Sequence, residues 1–99
     1  MAKIITLTPE AEIDSDQGYF WYESRRIGLG REFLTTVDAC LQSIGRNPKM
    51  YQSVYKSYRK AIVRRFPYAV IYEEAEVEII VYAVFDCRQS PKKWRERLK

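Results

Sequence analysis

The residues of this sequence best suited to chemistry are cations near its middle and end. Lys60, Arg64 and Arg65 fall in one stretch, Tyr58-Arg59-Lys60-Ala61-Ile62-Val63-Arg64-Arg65-Phe66-Pro67-Tyr68-Ala69-Val70-Ile71-Tyr72, and Arg88 follows 16 residues after it. Guanidinium groups grip phosphate or carboxylate through paired hydrogen bonds and stabilise charge developing on a phosphoryl group. Such cations can therefore hold an anion. A base is harder to find. The 99 residues include no histidine, so the commonest general base, zinc ligand and activator of a Ser or Cys nucleophile is missing. An ordinary lysine, with a pKa of about 10.4, is protonated near neutrality. Lys60 becomes a base only if solvent is excluded around it and Arg64.

Each of the other candidates has two readings. Arg65 contacts a partner or pairs with a helix carboxylate such as Glu32 or Asp38. Arg88, just past a strand end, lies where sites concentrate, or is a solvated loop residue. Tyr68, Tyr72 and Tyr82 stack on bases, line a groove, or pack at the core edge. Trp94, among Lys92, Lys93, Arg95 and Arg97, anchors the C-terminus on a sheet or meets a partner. Cys40 and Cys87 share no CxxC spacing and read as reduced, half-buried thiols. No metal or cofactor set is expected.

The elements that must position these residues follow from periodicity. Within the central stretch, alternation puts Lys60, Ile62 and Arg64 on one side of a strand and Arg59, Ala61, Val63 and Arg65 on the other. Pro67 lacks an N–H and belongs in the turn before a second strand, Tyr68 to Tyr72. Residues 3–8 form a short β-branched first strand. Thr8 then caps a helix with Pro9 in its first turn and Glu10 and Glu12 at its positive end, running to about Arg26. Gly18 inside it permits close packing or weakens it. Ile27-Gly28-Leu29-Gly30 ends that helix, with Gly28 as cap. A second helix over Arg31–Arg46 carries the stripe Phe33, Val37, Cys40, Leu41 and Ile44. Residues 49–57 form a linker in which Ser53-Val54-Tyr55 can begin a strand. The last strand is Val77 to Asp86, with Val77, Ile79, Val81, Ala83 and Phe85 on its buried face. Residues 91–99 form a short helix or a tail.

Length suits one domain, residues 1–99, with one modest core. No apolar run reaches the roughly 18–20 residues of a membrane span. The opening residues are too short for a signal peptide, so a soluble, cytoplasmic protein is expected. Residues 1–50 carry six basic and seven acidic side chains, and residues 51–99 carry eleven and six. The basic second half favours an anionic partner, nucleic acid or an acidic protein segment.

The order of elements, with these residues, resembles the RelE/ParE superfamily of type II toxins over nearly the whole chain. The resemblance is carried by Leu7-Thr8-Pro9-Glu10-Ala11-Glu12-Ile13-Asp14, by Gly28-Leu29-Gly30-Arg31-Glu32-Phe33-Leu34, by Asn47-Pro48, and by Arg64 to Tyr72. Val81-Tyr82-Ala83-Val84-Phe85 with Arg88, Pro91 and Trp94 completes it. It implies an α+β fold: an N-terminal strand and a helical hairpin packed on a mainly antiparallel four-stranded sheet. It also implies a toxin of a plasmid-stabilisation-like, stress-response system that inhibits growth, assembled with a cognate antitoxin. The ParE branch poisons DNA gyrase; the RelE branch cuts messenger RNA on the ribosome.

If the chain were a nuclease of that kind, the resemblance would make Lys60, Arg64 and Arg88 its catalytic residues. It departs from the nuclease pattern at Ala69 and Ile62, where basic residues are expected, and in lacking a C-terminal tyrosine after Tyr82. Phe85-Asp86 stands where many ParE-like relatives carry Leu-His. The resemblance therefore favours ParE-like binding of gyrase, not enzymatic action, with a ribosome-dependent endoribonuclease or a degenerate antitoxin-binding member as alternatives. The candidate target- or partner-binding residues are Arg64, Arg65, Tyr68, Tyr82, Arg88 and Trp94.

Overall fold

A computed structural model describes residues 3–98. Chain order is β1 (Ile4–Leu7), α1 (Pro9–Arg25), α2 (Leu29–Arg46), β2 (Gln52–Tyr55), β3 (Tyr58–Ile62), β4 (Tyr68–Glu74), β5 (Glu78–Asp86) and α3 (Lys92–Arg95). The strands form one sheet in the order β1-β5-β4-β3-β2. The sheet therefore has five strands where four were expected. β2 to β5 are antiparallel, and β1 joins β5 in parallel, because the intervening helical hairpin carries the chain back before β5 is made.

Local chemistry sets the helix boundaries. The Thr8 hydroxyl accepts from the Ala11 N–H at 3.2 Å and Pro9 opens α1, as its sequence implies. α1 ends at Arg25. Gly28 takes the left-handed conformation, φ 90°, and so serves the start of α2, not the end of α1; α2 begins at Leu29, earlier than its apolar stripe indicates. The Glu23 carboxylate, from α1, accepts from the Gly28 and Gly30 N–H groups at 2.9 Å each, satisfying donors that the turn exposes.

Helices α1 and α2 cover one sheet face. Phe33, Val37 and Ile44 of α2 are buried there with Ala61, Val63, Val70, Tyr72, Ile79 and Val81, and Cys40 and Leu41 pack at the edge. A cluster of Tyr22, Phe33, Phe66 and Tyr68 closes one end, with Phe33 and Tyr68 ring centroids 4.8 Å apart. Gly18 admits Phe33: a Cβ there would lie 2.6 Å from two ring carbons. The second face has its own small core of Tyr58, Ile71, Ala83 and Trp94, covered by α3.

Two expectations for the strands are corrected. Val77 is 71% exposed and precedes β5. The buried face of β5 is not a continuous odd-numbered row either. Tyr72 pairs with Val81 but Ile71 pairs with Ala83, so Tyr82 is an extra residue, a β-bulge. Past it the alternation inverts. Val84 joins the helix-side core, while Ala83 and Phe85 face α3. In the hairpin, β3 ends at Ile62. Arg64 and Arg65 lie in the turn, where Arg65 has φ 70°, and are not opposite faces of a strand.

Candidate functional site

Lys60, Arg64 and Arg88 line three separate clefts. Lys60, half-buried on β3, faces a cleft of about 320 Å³ with Ser53, Cys87, Trp94 and Arg95. Arg88 lines an adjoining cleft of about 410 Å³ with Asp14, Trp21, Asp86, Lys93 and Arg97. Trp94, Phe85 and Gln89 line both. Arg64 lies elsewhere, in a cleft of about 530 Å³ between α2 and the end of β3 that shares no lining residue with the other two. The set Lys60, Arg64 and Arg88 is thus not assembled around one point.

Arg88 is already engaged. Its Nε and Nη2 donate to the two Asp86 oxygens at 2.9 and 2.8 Å, and its backbone N–H donates to the same carboxylate at 2.9 Å. Those hydrogen bonds hold the Asp86 carboxyl below its usual value and push the Arg88 guanidinium higher still. This answers the departure seen at Phe85-Asp86: the aspartate neutralises the arginine two residues on.

The remaining candidates resolve as follows. Arg65 pairs with Glu32 at 2.7 Å, the helix-carboxylate reading, and Arg26 approaches the same Glu32 at 3.1 Å. The Arg65 hydrogen bond lowers the Glu32 pKa. Tyr68 is buried in the aromatic cluster, and burial pushes its hydroxyl to about 12. Tyr72 is fully buried, with its hydroxyl donating to the Pro48 carbonyl at 2.6 Å. Tyr82 donates to Glu73 at 3.1 Å and meets the Tyr58 ring edge-on; burial, then Glu73, raises its pKa to about 12. Tyr72 lies wholly in the core, Tyr82 is partly buried, and Tyr68 also lines the Arg88 cleft. Trp94 is 4% exposed and sits 5.7 Å from the Phe85 ring, so it anchors α3 on the sheet. Its Nε1–H is buried without an acceptor among the described residues. Ala69 is fully buried and opposite Phe85 and Ile62, a position with no room for a solvated cation.

Asp14 and Arg97 were not anticipated. Arg97 donates to both Asp14 oxygens, at 2.6 and 2.9 Å, and to the Tyr82 carbonyl at 3.0 Å; Asp14 also accepts from the Val84 N–H at 3.1 Å. The pair raises the Arg97 pKa. No local pattern announces a pair this far apart in sequence. Cys40 is half-buried and Cys87 exposed; both are free thiols. Burial raises the Cys40 pKa to about 11 and also raises that of Cys87, with Lys60 partly opposing the second.

The two adjoining clefts together present five cations, Lys60, Arg88, Lys93, Arg95 and Arg97, and two carboxylates, each tied to an arginine. This surface can attract an acidic or phosphorylated partner. Its carboxylates are acceptors held by arginines, which is a poor state for removing a proton. Among the described residues no group of three or more His, Cys, Asp or Glu is placed to hold a metal ion, and no helix is long and apolar enough to cross a membrane.

No family model matches this sequence, and no curated protein matches it. Among solved structures the chain is similar to a chain of the chromosomal ParDE TA system from P. aeruginosa. The TM-score is 0.63 and the identity 15%, over 86% of this chain and 96% of that one. The chain shares its α+β fold with that chain.

Proposed function

We propose that this chain is the toxin of a type II toxin–antitoxin pair and that it arrests growth by binding a protein target, DNA gyrase. The ParE-like fold supports the toxin role. The observation that carries the choice of mechanism is the engagement of Arg88 by Asp86, with Arg64 in a cleft apart from Lys60 and Arg88. A nuclease acting without histidine has to focus unpaired cations on one phosphate. Here one cation is neutralised and another is remote, while the basic surface remains suited to protein recognition. The partner in the cell is a cognate antitoxin that assembles with the toxin, and the site of action is the cytoplasm.

The test is a supercoiling assay with purified gyrase and relaxed plasmid. The proposed function predicts that the protein inhibits supercoiling and that the small protein encoded beside it relieves the inhibition. Unimpaired gyrase, together with cleavage of messenger RNA on translating ribosomes, would replace this reading with the ribonuclease one.

A further inference from the structure

Helix α1 carries apolar residues on two sides. It buries Ala11 and Gly18, and Tyr22 packs against the same core. At 3.6 residues per turn, the side opposite those three carries Ile13, Phe20 and Ser24, with Asp16 and Gln17 flanking them. Ile13 is 54% and Phe20 68% exposed, and they lie about 10 Å apart along the axis. The Tyr19 ring meets Phe20 edge-on, centroids 5.1 Å apart, which holds the exposed ring in place. Trp21, on the neighbouring flank, is 47% exposed, with the Arg25 guanidinium 3.8 Å from its ring centre. Folding does not account for Ile13 and Phe20, since the core that α1 serves is on its other side.

This ridge has a charge of its own. Glu12 and Asp16 flank it, both exposed, and neither carboxylate has an ion pair or hydrogen bond among the described residues. Elsewhere Asp14, Glu32, Glu74 and Asp86 are each held by a cation. In a chain of net charge +4, the ridge is therefore an apolar strip with an unneutralised acidic flank. Such a flank repels nucleic acid and an anionic lipid surface. A second copy packed through the same ridge answers it poorly, because the outward row Ile13, Gln17, Phe20 and Ser24 carries no cation.

We propose that the outer ridge of α1 is the surface on which the protein target docks, by seating Ile13 and Phe20 in an apolar groove whose rim carries lysine or arginine. Helix-in-groove recognition reads one apolar helix face through anchors such as i and i+7. Here this chain supplies the helix, so the partner supplies the groove. That partner is a folded domain, because an unfolded segment has no groove to offer. An exposed ring already held by its neighbour loses little conformational freedom when it is buried. Cations on the rim meet Glu12 and Asp16, which steers and orients the encounter. The inference rests on the proposed function only for the partner's identity, DNA gyrase; the chemistry of the ridge does not depend on it.

The test pairs inhibition of gyrase supercoiling with photocrosslinking. Ile13→Ser with Phe20→Ser should raise the concentration for half-inhibition by at least about tenfold, since both anchors are lost. Glu12→Lys with Asp16→Lys should raise it several-fold, most at low salt. Val77→Ser, which removes a comparably exposed side chain from the β4–β5 turn, should leave it unchanged. All these residues are exposed, so the circular dichroism spectra should match that of the parent. In growth-arrested cells, photoreactive benzoylphenylalanine in place of Phe20 should crosslink to a gyrase subunit, identified by mass spectrometry. If the parent inhibits gyrase and the Ile13→Ser, Phe20→Ser variant does so equally, the inference fails and the toxin reading stands. Crosslinks only to the antitoxin, a second copy, lipid or nucleic acid, or none at all, would also overturn the inference. Unimpaired gyrase, with position 20 crosslinked to another folded protein through a basic-rimmed apolar groove, would instead remove the gyrase reading and keep the ridge.

Discussion

Arg97 donates two hydrogen bonds, at 2.6 and 2.9 Å, to the carboxylate of Asp14, 83 residues earlier in the chain. The same carboxylate accepts the Val84 N–H just past the bulge. One half-buried pair therefore fastens α1, β5 and the C-terminal segment together and, with the packing of Trp94, holds the tail over the second sheet face.

That arrangement makes the two partners unequal. Asp14→Ala strips Arg97 of its carboxylate, leaving it only the Tyr82 carbonyl, and leaves the Val84 N–H without its acceptor, at a cost of about 2 kcal/mol. In a domain of this size, a loss of that order lowers Tm by roughly 10 °C. Arg97→Ala leaves the Asp14–Val84 hydrogen bond in place and should cost about half as much. Thermal unfolding of the two variants checks the order; equal losses would mean that the Val84 bond contributes nothing.

Gly18→Ala sets two effects against each other. Alanine favours the helix by up to about 1 kcal/mol. The new methyl, however, would sit 2.6 Å from carbons of the fully buried Phe33 ring. Overpacking of a rigid core costs about 1–3 kcal/mol, so packing wins. Urea unfolding should show a net loss, and restoration by Phe33→Leu in the same chain would locate the clash.

Trp94 separates packing from hydrogen bonding. Trp94→Phe keeps most of the contact with Phe85 and removes a buried donor that has no acceptor, so its stability should stay within about 1 kcal/mol of the parent. Trp94→Ala removes the largest side chain of the second core and should cost about 3 kcal/mol. Urea unfolding of the two variants measures both costs. Limited proteolysis should cut the alanine variant first at residues 88–98.

The Asp86–Arg88 pair carries a sign-defined pH dependence. The folded pKa of Asp86 lies below its ordinary 3.8. Its contribution is therefore fully present above that value and is lost as pH falls through the lower, folded one. Arg88→Gln should lower stability only slightly at pH 7, because the arginine is largely exposed. The gap between parent and variant should start to narrow as the pH falls below 3.8. A gap that does not narrow as the pH falls below the ordinary 3.8 would show that the pair is not the source.

Much of this architecture was legible in the sequence. Phe33, Val37 and Ile44 recur at helical spacing and are buried as that spacing requires. Thr8-Pro9 opens α1, and Glu32 beside a basic turn proved to be the partner of Arg65. The misses have physical causes. A bulge adds one residue without altering composition, so period-two reasoning carried Phe85 to the wrong face beyond Tyr82. Strand ends are set by tertiary pairing, which stops β3 at Ile62 and leaves Val77 outside β5. The Asp14–Arg97 clamp arises only when distant segments meet. The roles of Arg64 and Arg88 were the least legible, because a cation's function depends on whether a carboxylate neutralises it.

The proposed function requires that this protein arrest growth by binding a protein target and not by cutting RNA. Inducing it in cells and following transcripts and gyrase–DNA complexes in the same culture tests that most directly. Intact transcripts with accumulating gyrase–DNA cleavage complexes and a DNA-damage response are the predicted result. Codon-phased cleavage of translated messages, abolished by Arg64→Ala or Arg88→Ala, would contradict it.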